Sequence, residues 1–159
     1  MNAAPTCHAE ASVQLPLDPE TAWDVVIDWD RQSRWMLLTS VRATENDGVG
    51  LGGGVAARTS VGALGFTDHM VITHWDPPRE CTVKHLGTVV RGTGTFAIVP
   101  GRRGVDDTGT QPGVCTFTWS EDVVPPMGRL GVALWPLVRP AFEAMMRVSL
   151  RRLVREVAR

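Results

Sequence analysis

Between about residue 39 and residue 123, apolar and polar side chains alternate in a succession of short runs, and this pattern constrains the fold more than any other feature. Residues typical of turns, above all glycine, proline and an Asn-Asp-Gly sequence, separate the runs. Consecutive short strands with tight turns favour an antiparallel meander over parallel strands joined by crossover helices. Six strands are predicted in this region, over residues 41–44, 55–61, 66–75, 81–86, 90–99 and 114–123.

The segment before these runs is predicted to contribute one more strand and two short helices. Residues 8–15 alternate in the same way, which predicts a strand. An Asp-Pro-Glu sequence at residues 18–20 supplies an N-cap residue, a proline and an acid in the order that begins a helix. A second short helix is predicted to begin near Asp30 and to carry Trp35 and Met36.

The C-terminal part of the chain is predicted to be helical, with its main helix from Ala141 to about Val157. Pro136 and Pro140 precede that helix, so we predict a short helical piece at residues 130–135 and a kink or restart near Pro140. The opposite face is rich in arginine, and such a face is more often solvated than bound to anionic lipid or RNA. The apolar stripe of the main helix consists of Phe142, Met145, Met146, Leu150, Leu153, Val154 and Val157.

Together these elements predict a single domain of the α+β class with a helix-grip fold. We expect a curved seven-stranded antiparallel sheet, two short helices, and a long C-terminal helix over the concave face. The domain is predicted to span residues 1–159, with a frayed terminus at 1–7 and a mobile hairpin tip at 101–113. One helix is only about 10 Å wide and cannot fill the hollow of such a sheet. Side chains or a cavity must therefore occupy the remaining space.

Composition and cysteine spacing argue against several classes of protein and site. The formal net charge of −1 gives no electrostatic basis for binding nucleic acid. Cys7, Cys81 and Cys115 are odd in number and widely spaced, so neither a zinc site nor a disulfide framework is indicated. No apolar run approaches the roughly 20 residues of a membrane span, and no signal peptide is recognised. We expect a cytoplasmic protein, monomeric or homodimeric, without a metal ion or cofactor.

Several short motifs occur in an order typical of one known superfamily. They lie at residues 18–23 (Asp-Pro-Glu-Thr-Ala-Trp), 28–35 (Asp-Trp-Asp to Trp), 75–79 (Trp-Asp-Pro-Pro-Arg), 92–94 (Gly-Thr-Gly), 118–121 (Thr-Trp-Ser-Glu) and 149–153 (Ser-Leu-Arg-Arg-Leu). Together they resemble the START/Bet v 1-like superfamily, and most closely its polyketide cyclase/dehydrase and lipid-transport (SRPBCC) branch. The resemblance implies a helix-grip fold with an internal pocket for sterols, lipids, polyketides or similar molecules. It does not imply one reaction, because members include carriers, hormone sensors, cyclases and partner-binding modules.

Three polar residues are predicted to point into the apolar interior. If the apolar positions of each strand face inward, alternation brings Asp68, His85 and Glu121 to the same face, and possible catalytic roles follow. His85 would carry a proton, with Asp68 or Glu121 as its orienting partner. Alternatively, each residue lies at a solvated rim or pairs with Arg58 or Arg91, or a bulge turns it outward. The same alternation places His74 on the inward face, and the same shift of strand register would turn it outward.

Large apolar residues are predicted to line the interior and to contact a ligand together with His85. For any single one of them, a position in the ordinary core is the alternative interpretation, and two adjacent methionines would suit a pocket that adapts to varied shapes. The candidate ligand-binding residues are Trp35, Phe66, Met70, His85, Phe117, Trp119, Trp135, Phe142, Met145 and Met146.

Three functions remain open at this point. The preferred one is a carrier or sensor that binds a small hydrophobic molecule, such as a lipid, a sterol-like or a polyketide-like compound, in an internal cavity. The second is a cyclase/dehydratase-type enzyme that uses proton transfer in the same cavity. The third is a protein-interaction module, which a filled interior with a large exposed apolar patch would favour. Transient contact with a membrane surface is compatible with the arginine-rich helix face.

Overall fold

The computed structural model describes residues 5–101 and 113–159, which form one antiparallel sheet with two α-helices. The strands are β1 (Cys7–Leu15), β2 (Thr39–Ala43), β3 (Gly54–Val61), β4 (Leu64–Asp76), β5 (Glu80–His85), β6 (Gly92–Pro100) and β7 (Cys115–Val123). The helices are α1 (Pro19–Val26) and α2 (Arg129–Val157), and two short 3₁₀ turns lie at Arg31–Arg34 and Glu45–Gly48. The predicted α+β helix-grip fold is confirmed.

The sheet is a meander that the first strand extends. Its order is β1-β7-β6-β5-β4-β3-β2, so every strand from β2 to β7 pairs with its neighbour along the chain. β1 adds to β7 in an antiparallel register that runs from Cys7 opposite Val123 to Leu15 opposite Cys115. α2 packs against β1 and the first 3₁₀ turn, which holds the long helix over one face of the curved sheet.

α1 begins where local sequence chemistry predicts it. Asp18 is the N-cap residue, and its carboxylate accepts hydrogen bonds from the backbone N–H and the hydroxyl of Thr21. Pro19 occupies the first helical turn, where a missing N–H costs nothing. Trp23 faces inward and packs edge-to-face on Trp75 of β4, with ring centroids 5.1 Å apart. The helix is therefore anchored to the sheet by an aromatic pair.

An aromatic cluster fills the part of the interior nearest β6 and β7. Trp35 follows the first 3₁₀ turn and is fully buried. Its ring centroid lies 6.3 to 6.4 Å from those of Phe96, Phe117 and Trp119. Edge-to-face and tilted packing of such rings adds to the gain from burying their apolar surface. This cluster is the solid portion of the core.

The predicted division of the C-terminal helix into a short piece and a restarted main helix does not occur. α2 is continuous from Arg129 to Val157, and both Pro136 and Pro140 lie inside it. A proline in a helix leaves the carbonyl four residues earlier without its partner. Most residues between 129 and 141 are exposed, so water can hydrogen-bond to the freed carbonyls. Pro140 therefore neither ends nor restarts the helix.

Three smaller predictions can also be compared with the structure. Cys7 opens β1 and is buried, so the frayed terminus predicted at 1–7 extends too far. The short helix predicted near Asp30 is a single 3₁₀ turn, with Trp35 at its end. The hairpin tip predicted at 101–113 lies, apart from its two end residues, outside the described residues. Within the described ranges, none of the helices is both long and apolar enough to cross a membrane.

Candidate functional site

A pocket of about 590 Å³ lies between the concave face of the sheet and α2. Its walls come from β2 to β7, from the first 3₁₀ turn, from residues 123–127 and from the N-terminal half of α2. Most of the lining side chains are apolar. Side chains at every second position of a strand point to the same face, and in these strands the positions that face the pocket carry mainly apolar residues. The pocket therefore offers a large apolar surface with few polar groups.

Three ionisable side chains from three strands meet on one wall of this pocket. Asp68 comes from β4, His85 from the end of β5 and Glu121 from β7. Nδ1 of His85 lies 2.5 Å from Oδ2 of Asp68, and Nε2 of the same ring lies 3.0 Å from Oε2 of Glu121. None of the three side chains is more than 10% exposed. The imidazole is thus held between two carboxylates, away from bulk solvent, and we call these residues the polar cluster.

A glycine of β6 allows the polar cluster to form. β5 and β7 are not neighbours, because β6 lies between them. Gly92 of β6 is opposite His85, and Gly94 is opposite Glu121. Because Gly94 has no side chain, the imidazole from β5 and the carboxylate from β7 meet across the intervening strand. A residue with a larger side chain at position 94 would occupy the space that the Glu121 carboxylate fills.

The electrostatics of the cluster favour a charged imidazole. Burial of the His85 ring disfavours its protonated form, but the hydrogen bonds and charges of Asp68 and Glu121 outweigh this effect and raise its pKa to about 9. At neutral pH the ring therefore carries an N–H on both nitrogens, and each N–H donates to a carboxylate. Glu121 also accepts a hydrogen bond of 2.8 Å from the indole N–H of Trp119. His85 consequently has no nitrogen free for a ligand.

Asp68 keeps spare hydrogen-bonding capacity. Its second oxygen, Oδ1, is buried and has no hydrogen-bond partner within residues 5–101 and 113–159. The turn at Gly87 covers this oxygen, since a Cβ on Gly87 would lie 3.0 Å from it. An unpaired buried acceptor costs about 1–3 kcal/mol, and most such groups in native proteins are paired with protein or water. Asp68 is therefore the member of the cluster that can still accept a hydrogen bond.

The structure does not show the alternative placements of Asp68, His85 and Glu121 that the alternation of side chains along the strands left open. The partners of the polar cluster are its own members and Trp119, rather than Arg58 or Arg91. The register of β4 against β5 does shift, but only beyond Ile72, so the irregularity lies past Asp68. His74 follows this irregularity and lies on the exposed side, 3.7 Å from Glu80. Within the described ranges, no group of three or more His, Cys, Asp or Glu has an arrangement suited to a metal ion.

The structure separates the predicted ligand-binding residues into two groups. Trp35, Phe117 and Met146 are fully buried in the core and do not line the pocket. Helical and strand periodicity identifies the inner face, but it does not say which inner residues are covered by others. We leave these three out of the candidate site. The predicted residues that do line the pocket are Phe66, Met70, His85, Trp119, Trp135, Phe142 and Met145.

Several pocket residues were not among the predicted ligand-binding residues. Val83 and Gly94 line the sheet side, Gln32 lines the 3₁₀ turn, and residues 123–127 line the approach to α2. A signal for Gly94 was present, because glycine inside a strand often marks a close approach of another group. Residues 123–127 carry no periodic pattern that would have identified them. Their position depends on how the chain passes from β7 to α2.

Comparisons with known proteins agree with this architecture. A family model described as "Polyketide cyclase / dehydrase and lipid transport" matches residues 6–158. A search of the curated proteins gave no match. Among solved structures, TTHA0849 from Thermus thermophilus is 15% identical over 96% of this chain and 97% of its own, with a TM-score of 0.69.

Two further solved structures have the same fold. DR_A0006 from Deinococcus radiodurans is 13% identical, with 94% of this chain and 96% of its own covered and a TM-score of 0.60. Ms6760 from Mycobacterium smegmatis is 10% identical, with 95% and 90% covered and a TM-score of 0.64. At such low identity, these likenesses establish the fold and nothing more about this chain.

Proposed function

Because the chain belongs to the polyketide cyclase/dehydrase and lipid-transport family, we propose that it binds a small apolar molecule in the pocket between the sheet and α2, as a carrier or sensor. The observation that carries the proposal is the pocket itself, with a volume of about 590 Å³ and mainly apolar walls. Ligand pockets of proteins typically measure roughly 300–1,000 Å³ and combine apolar walls with a few polar groups. The polar cluster would supply such groups here.

The size of the pocket sets the scale of the binding energy. A ligand that buries roughly 300 Å² of apolar surface gains about 7 kcal/mol before the costs of association are subtracted. Apolar contact alone therefore supports reversible binding, without a covalent step. Met70 and Met145 line opposite walls, on β4 and α2, and their flexible side chains would adapt to ligands of different shape.

The binding proposal is tested with a neutral environment-sensitive dye such as Nile red. Val83 and Lys84 are adjacent on β5; Val83 lines the pocket, whereas Lys84 is exposed. Val83→Trp fills the pocket and is expected to weaken dye binding at least about tenfold, while the matched variant Lys84→Trp changes it little. Equal binding by the two variants would place the dye outside the pocket. Native mass spectrometry of protein from its source cells should also detect a co-purified ligand, and repeated absence of both signals contradicts the proposal.

A second candidate function is an enzyme of the cyclase/dehydratase type, and the polar cluster favours it. Both nitrogens of His85 are engaged, so Asp68 would act as the general base and His85 would orient it. In this step a proton moves from the carbon beside a ketone to Asp68, and the electron pair remains on the enolate. Return of a deuteron in heavy water would complete an exchange.

That exchange provides the test of the enzyme candidate. An apolar β-hydroxy ketone is incubated with the protein in heavy water, and loss of the proton signal is followed by NMR. The enzyme candidate requires exchange faster than in buffer, abolished by Asp68→Asn and retained by Asp122→Asn, which changes an exposed carboxylate of β7. An exchange rate no faster than in buffer argues for binding alone. The interaction-module alternative is not favoured, because the interior contains an open pocket.

A further inference from the structure

The polar side chains of the pocket wall differ in whether they can still form a hydrogen bond with a ligand. Gln32 donates its side-chain amide to the carbonyl of Val26 at 2.6 Å, and the hydroxyls of Thr39 and Thr59 bond to each other at 3.0 Å. These groups have a partner already. In the described part of the chain, the buried side-chain atoms without a partner belong to Arg31, Trp35 and Asp68, and only Asp68 lines the pocket.

The free atom of Asp68 is an acceptor, which restricts what can meet it. A carboxylate oxygen accepts hydrogen bonds from hydroxyl or amino groups, but it cannot satisfy a ketone, an ether or another carboxylate. Asp68 itself lines the pocket, with a side chain that is 7% exposed. Within the described residues its carboxylate accepts one hydrogen bond, whereas that of Glu121 accepts two, and each carboxylate oxygen has two lone pairs.

Cations that could hold an anionic head group are scarce on the described pocket wall. Its cationic residues are His85 and Arg91. Both ring nitrogens of His85 already face carboxylates, and Arg91 is exposed at the rim. A carboxylate or phosphate moved to the polar cluster would lose its hydration and meet Asp68 and Glu121 instead of a free cation. An anion is therefore disfavoured at this wall.

From these contacts we propose that the ligand is an apolar molecule whose polar end is a hydrogen-bond donor, a hydroxyl or amino group, and that Asp68 accepts this donor. The inference rests on the proposed binding function and adds the chemical class of the ligand. His85 and Glu121 are positioning residues, since they hold the Asp68 carboxylate at the wall through the bonds of the polar cluster. Fatty-acid anions are excluded from the same end of the pocket.

A series of ten-carbon probes tests the class of ligand by displacement of Nile red. Decanol and decylamine carry donors, methyl octyl ketone only accepts, and decanoate is an anion without a donor at neutral pH. A hydrogen bond to a charged acceptor is stronger than a neutral one, so decanol and decylamine are expected to bind about tenfold or more tightly than the ketone and decanoate. Equal affinity across the series, or tightest binding by decanoate with loss in Arg91→Gln, overturns the inference while the binding function stands.

The variant Asp68→Asn adds a readout that a purely structural role would not move. The asparagine amide can turn its oxygen to His85 and its NH₂ group to the free side, which replaces an acceptor by a donor. We expect decanol to lose about tenfold in affinity while the ketone keeps or gains affinity, so that the order of the two probes reverses. Asp122→Asn, on the exposed side of β7, should keep the wild-type order.

The possible outcomes separate the inference from the function on which it rests. An unchanged decanol-to-ketone ratio in a folded Asp68→Asn protein overturns the inference. If this variant does not fold, which circular dichroism reports, the wild-type series decides the question alone. If neither Nile red nor any probe binds to the wild-type protein, the binding function fails, and the inference fails with it.

Discussion

The carboxylate of Glu121 occupies the space beside Gly94, so that a Cβ on Gly94 would lie only 2.8 Å from Oε1 of Glu121. These two residues are directly opposite each other on β7 and β6. The same carboxylate holds His85 and accepts the indole N–H of Trp119. The missing side chain of one strand thus determines where an ionisable group of the next strand can lie.

Replacement of Gly94 by alanine should displace the Glu121 carboxylate and leave the fold intact. The atom in the way is the end of a side chain, so the carboxylate moves rather than the backbone, and the free energy of unfolding should fall by about 1–3 kcal/mol because a buried hydrogen bond between charged groups is weakened. With a weaker bond to Glu121, His85 should titrate at a lower pKa. NMR titration of the imidazole measures this shift. Thr93→Ala, at the neighbouring position of β6, should leave the titration unchanged, and an unaltered pKa in Gly94→Ala contradicts the prediction.

Stability should fall with rising pH because of His85. Its pKa is about 9 in the folded protein against 6.5 for an ordinary histidine. Its contribution is therefore fully present below about pH 6.5 and is lost as the pH rises through about 9, at a cost of roughly 3 kcal/mol. Denaturant unfolding across this pH range measures the loss.

The matched variants for this experiment are His85→Gln and His8→Gln. His85→Gln should flatten the pH dependence, because the raised pKa is removed. His8 also has a raised pKa, through its hydrogen bond to Asp122, but its side chain is 48% exposed. Its replacement should keep most of the wild-type slope. A wild-type curve as flat as that of His85→Gln would mean that the imidazole is not stabilised in its charged form.

Trp35 should tolerate phenylalanine far better than alanine. Trp35→Ala opens a cavity inside the aromatic cluster and should lower the free energy of unfolding by about 3–5 kcal/mol. Trp35→Phe keeps a ring and removes a buried indole N–H that has no partner among the residues described, so its cost should be clearly smaller. Thermal and denaturant unfolding compare the two. Because Trp35 does not line the pocket, a loss of Nile red binding in folded Trp35→Phe would contradict this assignment.

Cys81 should be almost inert toward thiol reagents in the native protein. Burial, together with the charge of Glu80, raises the pKa of its thiol to about 12. The thiolate fraction near neutral pH is then about a thousandfold lower than for an ordinary cysteine, since each pKa unit is a factor of ten. Alkylation with iodoacetamide, located by mass spectrometry, should be correspondingly slower in native than in urea-unfolded protein. Comparable rates in the two states would show that the thiol is accessible and ionised.

The order of elements and the fold class followed from local patterns. Alternation predicted the strands, and the chemistry of Asp18 and Pro19 predicted the start of α1, because both depend on neighbours along the chain. The restart predicted at Pro140 was wrong for a reason that local pattern could not supply. Whether a proline ends a helix depends on the surroundings of the freed carbonyl, and those surroundings are set by tertiary structure.

The sequence by itself determined that Asp68, His85 and Glu121 could share one face of an antiparallel sheet, because side chains alternate with a fixed period of two. Only the tertiary structure decided that they touch, since His85 reaches Glu121 across β6 at Gly92 and Gly94, and that contact depends on strand order and register. Tertiary structure also decided how deeply each inward-facing residue is buried. Periodicity marks Trp35 and Trp119 alike as inward residues, but only packing in three dimensions leaves one in the core and the other on the pocket wall.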